Sequence, residues 1–303
     1  MKKLFHLLMT IFIISLLLSF SVEGPIFLKV NLHEGATYKF TTTIDLTTTT
    51  SSPRDSYQRN SKIATTLEMK VSQKYRQDSM VLVTRYTRMA VRTSALGQTT
   101  SFDSNDKNSQ AGNEFRKIFH TIKDHPVTLK TNASGRIIEI IGISQLRKAL
   151  FGAIKQNDTM ITKVLENLLN EQAYERAYNN LLNLYPQKSL QTGDHWDQNM
   201  VIRSIIPLDL NQIYTVKEIK HGSVILNLSG NLIGTKDSAY FNGTSVPVHI
   251  SGTQFGQYTI DRSTGLISNG TLDEDLHTKI NMSGKEMDIE NQEKTHIMET
   301  TKL

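Results

Sequence analysis

The stretch LQTGDHWDQN, Leu190–Asn199, decides how the chain is read, because it sets the single tryptophan beside a histidine flanked by aspartates. Gathered in a loop, Asp194, His195 and Asp197 would suggest a metal site or a general acid–base pair. At the head of a strand the same residues would point to different faces. An earlier stretch, LHEGATYKF from Leu32 to Phe40, separates the two readings. In both, a leucine is followed three residues on by glycine and three further on by an aromatic: Leu32, Gly35 and Tyr38, then Leu190, Gly193 and Trp196. The glycines are expected to supply a positive φ or a close approach where the chain turns into a strand. Tyr38 and Trp196 are expected to be the first large, buried residues on its inward face. Asp194 and His195 fall where the first stretch has Ala36 and Thr37, so they have no counterparts there. On an alternating strand His195 points away from Trp196, and Asp194 and Asp197 point to opposite faces. The stretch therefore reads as a strand opener, and a hydrolase built on His195 and its neighbouring aspartates is the weaker alternative.

A second pair of stretches supports an internal repeat. LKTNASGRII, Leu129 to Ile138, and IDRSTGLIS, Ile260 to Ser268, each read as a strand, a Ser/Thr-Gly turn and a second strand, with Gly135 and Gly265 as the turn residues. Elsewhere period-two alternation dominates. Tyr38, Phe40, Thr42, Ile44 and Leu46 share one face, as do Ile63, Thr65, Leu67, Met69 and Val71. SMVLVTRYTRMAV continues the series, and the Asn/Ser-rich SFDSNDKNSQAGN reads as a loop. Phe115, Ile118, Phe119 and Ile122 recur at helical spacing, predicting a short helix near 113–124. Apolar residues again recur at three and four from Ile143 to Tyr185, and Pro186 ends that helical segment. Strands resume at Trp196 and continue to the C-terminus.

The expected fold class is α+β, predominantly antiparallel β, with two pseudo-repeated curved sheets or half-barrels joined by a helical segment. The expected boundaries are a signal peptide over 1–21, a first β-rich half over 25–142, a helical linker over 143–186 and a second β-rich half over 187–303. The N-terminus carries the first of these: two lysines, an apolar run from Leu4 to Leu18, and SFS with Ser19 and Ser21 placed for cleavage. An uncleaved anchor is the alternative, since Leu4 to Val22 is nearly long enough to span a bilayer. No later segment is apolar enough to do so. The chain is thus expected to be exported, periplasmic or extracellular, with no membrane span in the mature protein.

Composition excludes several chemistries. There is no cysteine, which removes disulfides, thiolate metal sites and cysteine nucleophiles. The net charge of +5 comes from 34 basic and 29 acidic residues scattered along the chain, without the basic stripe and stacking aromatics of a nucleic-acid binder. The nine histidines are dispersed, and no two stand three or four apart on a helix. TLDEDL, with Asp273, Glu274 and Asp275, reads as a solvated turn, and GTQFG as a strand bend. No phosphate loop, dinucleotide fingerprint or nucleophile elbow occurs. No catalytic residue, metal or cofactor is assigned. Gly35, Tyr38, Gly135, Gly193, Trp196 and Gly265 are structural candidates.

RKIFHTIKDHPVTLKTNASGRIIEIIGI, together with NNLLNLYPQKSLQTGDHW ahead of the second half, resembles exported bacterial proteins of about 300 residues classed only as a domain of unknown function. The resemblance covers nearly all of the mature chain, rests on openers and turns, and implies no activity and no catalytic residues. Unlike many of those proteins, this chain lacks a cysteine for lipid attachment. The expected function is a non-enzymatic envelope protein binding a lipid or other hydrophobic ligand. A structural or protein-interaction module of the envelope is the alternative.

Overall fold

The computed structural model describes residues 24–75, 79–106, 113–153, 171, 174, 175, 178, 182, 184–202, 206–241, 244–282 and 285–302. Thirteen strands occur among them: β1 (Thr37–Ser51), β2 (Ser56–Lys74), β3 (Met80–Ala95), β4 (Gln98–Asp103), β5 (Val127–Thr131), β6 (Ile137–Ile141), β7 (His195–Ile202), β8 (Leu208–Ile219), β9 (Ser223–Gly234), β10 (Ser238–Phe241), β11 (Thr244–Asp261), β12 (Ile267–Met282) and β13 (Lys285–Lys302). Two helices accompany them, α1 (Asn113–Asp124) and α2 (Ile143–Ala153).

The strands form one mostly antiparallel open sheet in the order β6-β5-β3-β2-β1-β13-β12-β11-β9-β8-β7, with β4 beside β3 and β10 beside β11. The end strands β6 and β7 are not paired with each other, so the sheet is not closed into a barrel. This corrects the expectation of two sheets. β13, with 18 residues against the 15 of β1, pairs along one edge with β12 and along the other with β1, from Thr37↔Lys302 to Ser51↔Asp288. A continuous ladder of backbone hydrogen bonds therefore crosses the point where the halves were expected to separate.

Alternation places one side of each strand in the core. In β8, Leu208, Leu210, Gln212, Tyr214 and Val216 are buried while Asp209, Asn211 and Ile213 are exposed. β9 and β11 follow the same pattern. The main core gathers Tyr38, Met69, Leu82, Leu129, Leu226 and Ile260 from the sheet with Leu28 and Leu32 from the N-terminal segment. α2 seals it with Ile143, Leu146 and Leu150, which fall on one face at spacings of three and four and are all buried. A second apolar cluster, including Leu210, Leu232, Val248 and Ile280, lies toward the other end of β8–β12.

Two local readings change. Ser101–Asp103, expected in a loop, belong to β4, because Phe102 pairs with Val91 and packs against Phe119 of α1. TLDEDL lies in the middle of β12, paired on both sides, and is not a turn. Most of the expected helical linker beyond Ala153, and the expected signal peptide, lie outside the described residues.

Candidate functional site

Gly35 has φ +82° and Gly193 has φ +92°, the left-handed region that favours glycine. Ala36 N–H donates to His33 O at 3.1 Å and Asp194 N–H to Gln191 O at 3.0 Å, closing two four-residue turns with glycine third, as a type II turn requires. Gly35 N–H then donates to Val71 O at 2.9 Å and receives its complement through Val71 N–H to Ala36 O. Gly193, Val216 and Asp194 make the same pair of bonds, each at 2.8 Å. Both are G1 bulges, which fix the register of the strand that follows. Gly135 and Gly265 also have positive φ, and Asn132 and Asp261 accept backbone N–H bonds across their turns as Asx turns do.

Trp196 lies on the core side of β7, stacked on Tyr214, and its indole N–H donates to Leu184 O at 3.1 Å. It packs against the core but stays part-buried, because β7 ends the sheet and nothing described packs beyond it. His195 and Asp197 are exposed, and the Asp194 carboxylate caps the turn by accepting Gln191 N–H at 2.9 Å. The three polar residues therefore do not converge. Among the described residues no group of three or more His, Cys, Asp or Glu could hold a metal, and no helix is long and apolar enough to cross a membrane.

The residues that do come together lie on the core side of the middle strands. The register aligns Leu272, Thr295, Ile44, Ile63, Val91 and Phe102 in one row across β12, β13, β1, β2, β3 and β4. Phe102 and Thr295 are buried, but Ile44, Ile63 and Val91 between them, and Leu272 beyond Thr295, remain part-exposed on a face that elsewhere is core. A second row, beside the first, is polar. Gln212, Gly230, Gln254, Glu274 and Glu293 are aligned across β8 to β13. Gln212 Nε2 donates to Gln254 Oε1 at 3.0 Å, Gln254 donates to the Glu274 carboxylate, and Thr295 Oγ1 donates to Glu293 at 2.7 Å. Gly230 lets the two amides meet, since a Cβ there would stand 3.2 Å from Gln212 Cγ. Burial pushes the Glu274 carboxyl above its ordinary value; the Gln254 bond opposes this, and the facing Glu293 and adjacent Asp275 reinforce it.

Sequence reasoning missed this polar row because Gln212, Gln254 and Glu293 are far apart along the chain. Its only early signal was glutamine or glutamate at inward positions of otherwise apolar strands. The opposite face carries two open hollows. One, of about 510 Å³, is lined by Lys62, Arg88, Arg92 and Asp103, and the other, of about 320 Å³, by His249, Lys279 and Glu286. In the first, the Arg88 guanidinium stands 2.7 Å from Asp103 and holds its carboxyl below the usual range.

No curated protein matches the chain. Among solved structures, lipovitellin aligns at 11% identity and a TM-score of 0.47 over 88% of this chain, which spans only 25% of the lipovitellin chain. An outer membrane channel from Pseudomonas putida F1 aligns at 8% identity and a TM-score of 0.26, over 89% of this chain and 97% of that one. OccK7 of Pseudomonas aeruginosa aligns at 6% identity and a TM-score of 0.24, covering 89% and 100%. At TM-scores below 0.5 these likenesses assign no function to the chain. A family model matches residues 77–267, more than half of the sequence, and the chain belongs to that family, a family of unknown function designated DUF6263.

Proposed function

We propose that this protein is an exported, non-catalytic binding protein whose core-side sheet face receives a lipid or another hydrophobic small molecule. The observation that carries the reading is the run Ile44, Ile63 and Val91, whose apolar side chains stay part-exposed between buried Thr295 and Phe102, with part-exposed Leu272 on the far side of Thr295. Exposed apolar side chains in a continuous row forgo the burial that drives folding, about 25 cal/mol per Å². An apolar occupant recovers it. The two halves are read as copies of one strand unit, supported by the matched turns and bulges at Gly35 and Gly193. Export, to the periplasm or the extracellular space, is supported by the basic head and apolar run before residue 22.

Native mass spectrometry and organic extraction of protein purified from its own source should recover a near-stoichiometric apolar molecule. Titration with 1-N-phenylnaphthylamine should give saturable fluorescence that Ile63→Glu abolishes while the fold persists. Ligand-free protein without saturable dye binding would overturn the reading. N-terminal sequencing of the natural product tests export, which predicts a first residue near Val22.

A further inference from the structure

β13 shows what the free edge of such a sheet accepts. Reading from β6 to β1, the order is 6-5-3-2-1, and from β12 to β7 it is 12-11-9-8-7, with β4 and β10 each set off the path. On this correspondence β7 matches β1, and the two strands open on the same bulge. Because Val71 N–H bonds Ala36 O, hydrogen-bonded pairs with β2 recur at alternate residues, and Thr37, Lys39 and Thr41 turn their backbone groups outward. That edge is occupied: β13 pairs with it antiparallel, Lys39 opposite Thr300 and Thr41 opposite Met298. Val216 N–H bonds Asp194 O in the same way, so His195, Asp197 and Asn199 turn their backbone groups away from β8. Among the described residues no strand pairs there.

Two side chains say what would fit. Gln198 lies on the core side of β7, in register with Gln212, and its Oε1 is buried without a hydrogen-bond partner. A buried acceptor left unmet is unfavourable, and a donor from a neighbouring strand would meet it. On the opposite face Asp197 is exposed and makes no ion pair among the described residues.

We propose that the outer edge of His195–Asn199 captures an extended segment of a partner polypeptide, antiparallel to β7 in the place that β13 holds against β1. The segment carries an amide or hydroxyl donor beside Gln198, apolar residues on either side of that donor, and a cationic residue against Asp197. Strand addition of this kind takes its affinity from main-chain hydrogen bonds and its specificity from alternate side chains.

The test uses the full chain and a fluorescein-labelled synthetic peptide, KTVTQKITK, which meets these requirements, with its central glutamine replaced by glutamate as a control. Fluorescence anisotropy should show saturable binding, weakened about tenfold or more by the glutamate peptide and by Asn199→Pro, which removes an outward N–H and spares the bonds to β8. Asp197→Lys, which repels the peptide and leaves the backbone intact, should weaken binding likewise and decides the matter if the proline variant fails to fold. Absence of binding, or binding that neither variant changes, would overturn the proposal. Sedimentation velocity is run in parallel: a dimer of the full chain abolished by the same variants would show that the edge serves a second copy and would also overturn it.

Discussion

The indole of Trp196 lies against the ring of Tyr214 with centroids 5.5 Å apart and planes only 12° from parallel. Together with the bond to Leu184 O, this contact ties the opening of β7 to β8 and to the segment that precedes it. Trp196→Ala is expected to destabilise the protein by about 3 kcal/mol through loss of a large packed side chain. Trp196→Phe keeps a ring but not the N–H and should cost about 1 kcal/mol. His195→Ala, at an exposed position, should stay within about 0.5 kcal/mol. Urea melts of the three variants compare them, and an equal, large loss at His195 would place that residue in a buried network.

Gly35→Ala and Gly193→Ala should cost nearly the same, about 1–2 kcal/mol each, because both residues have positive φ and neither would place a Cβ within 4 Å of another group. The penalty is conformational alone. Gly265→Ala should cost more, since its Cβ would also collide with the backbone carbonyl of Lys29. Thermal melts that rank Gly265→Ala no worse than the other two would contradict the close approach of the N-terminal segment to that turn.

Glu274 predicts a pH dependence of stability. Its carboxyl is raised above the ordinary 4.5 in the folded protein, so folding binds a proton more tightly than the unfolded chain does. The stabilisation this gives is complete below pH 4.5 and is lost as the pH rises through the folded value. Relative to the wild type, Glu274→Gln should therefore be more stable at pH 7.5 than at low pH, because the glutamine never carries a buried charge facing Glu293. Near pH 4 the difference should vanish. Melting temperatures of both proteins at the two pH values measure it, and a gain independent of pH would remove the carboxylate as its cause.

The buried orphan at Gln198 gives a prediction that needs no partner. Gln198→Leu should raise the stability of the isolated chain by about 1 kcal/mol, because an unmet buried acceptor is replaced by apolar surface on a strand already facing the core. Denaturant titration checks this, and a loss of stability would show that the amide is satisfied in solution.

The sequence by itself determined the local geometry. Alternation fixed which side chains of β1 and β2 face inward, because a strand repeats every two residues whatever it pairs with. The glycines at 35, 135, 193 and 265 marked turns, because positive φ is a local steric requirement. The same alternation put Asp194 and Asp197 on opposite faces and turned His195 away from Trp196, so the stretch could be set aside as a converging catalytic triad. Tertiary structure decided what the strands paired with. Nothing in the composition of β13 says that its second edge joins β1 rather than closing a separate sheet, since backbone hydrogen bonds carry no sequence information. TLDEDL was legible as an acidic cluster, but only its pairing on both sides separates Glu274, turned into the core, from Asp273 and Asp275, left in water. The polar row from Gln212 to Glu293 and the part-exposed row from Leu272 to Val91 exist only through register, which gathers the first from four separate pairings and sets Ile44 beside distant Thr295 in the second. Strand order and register arise from long-range pairing, and these two rows, on which the proposed function rests, depend on both.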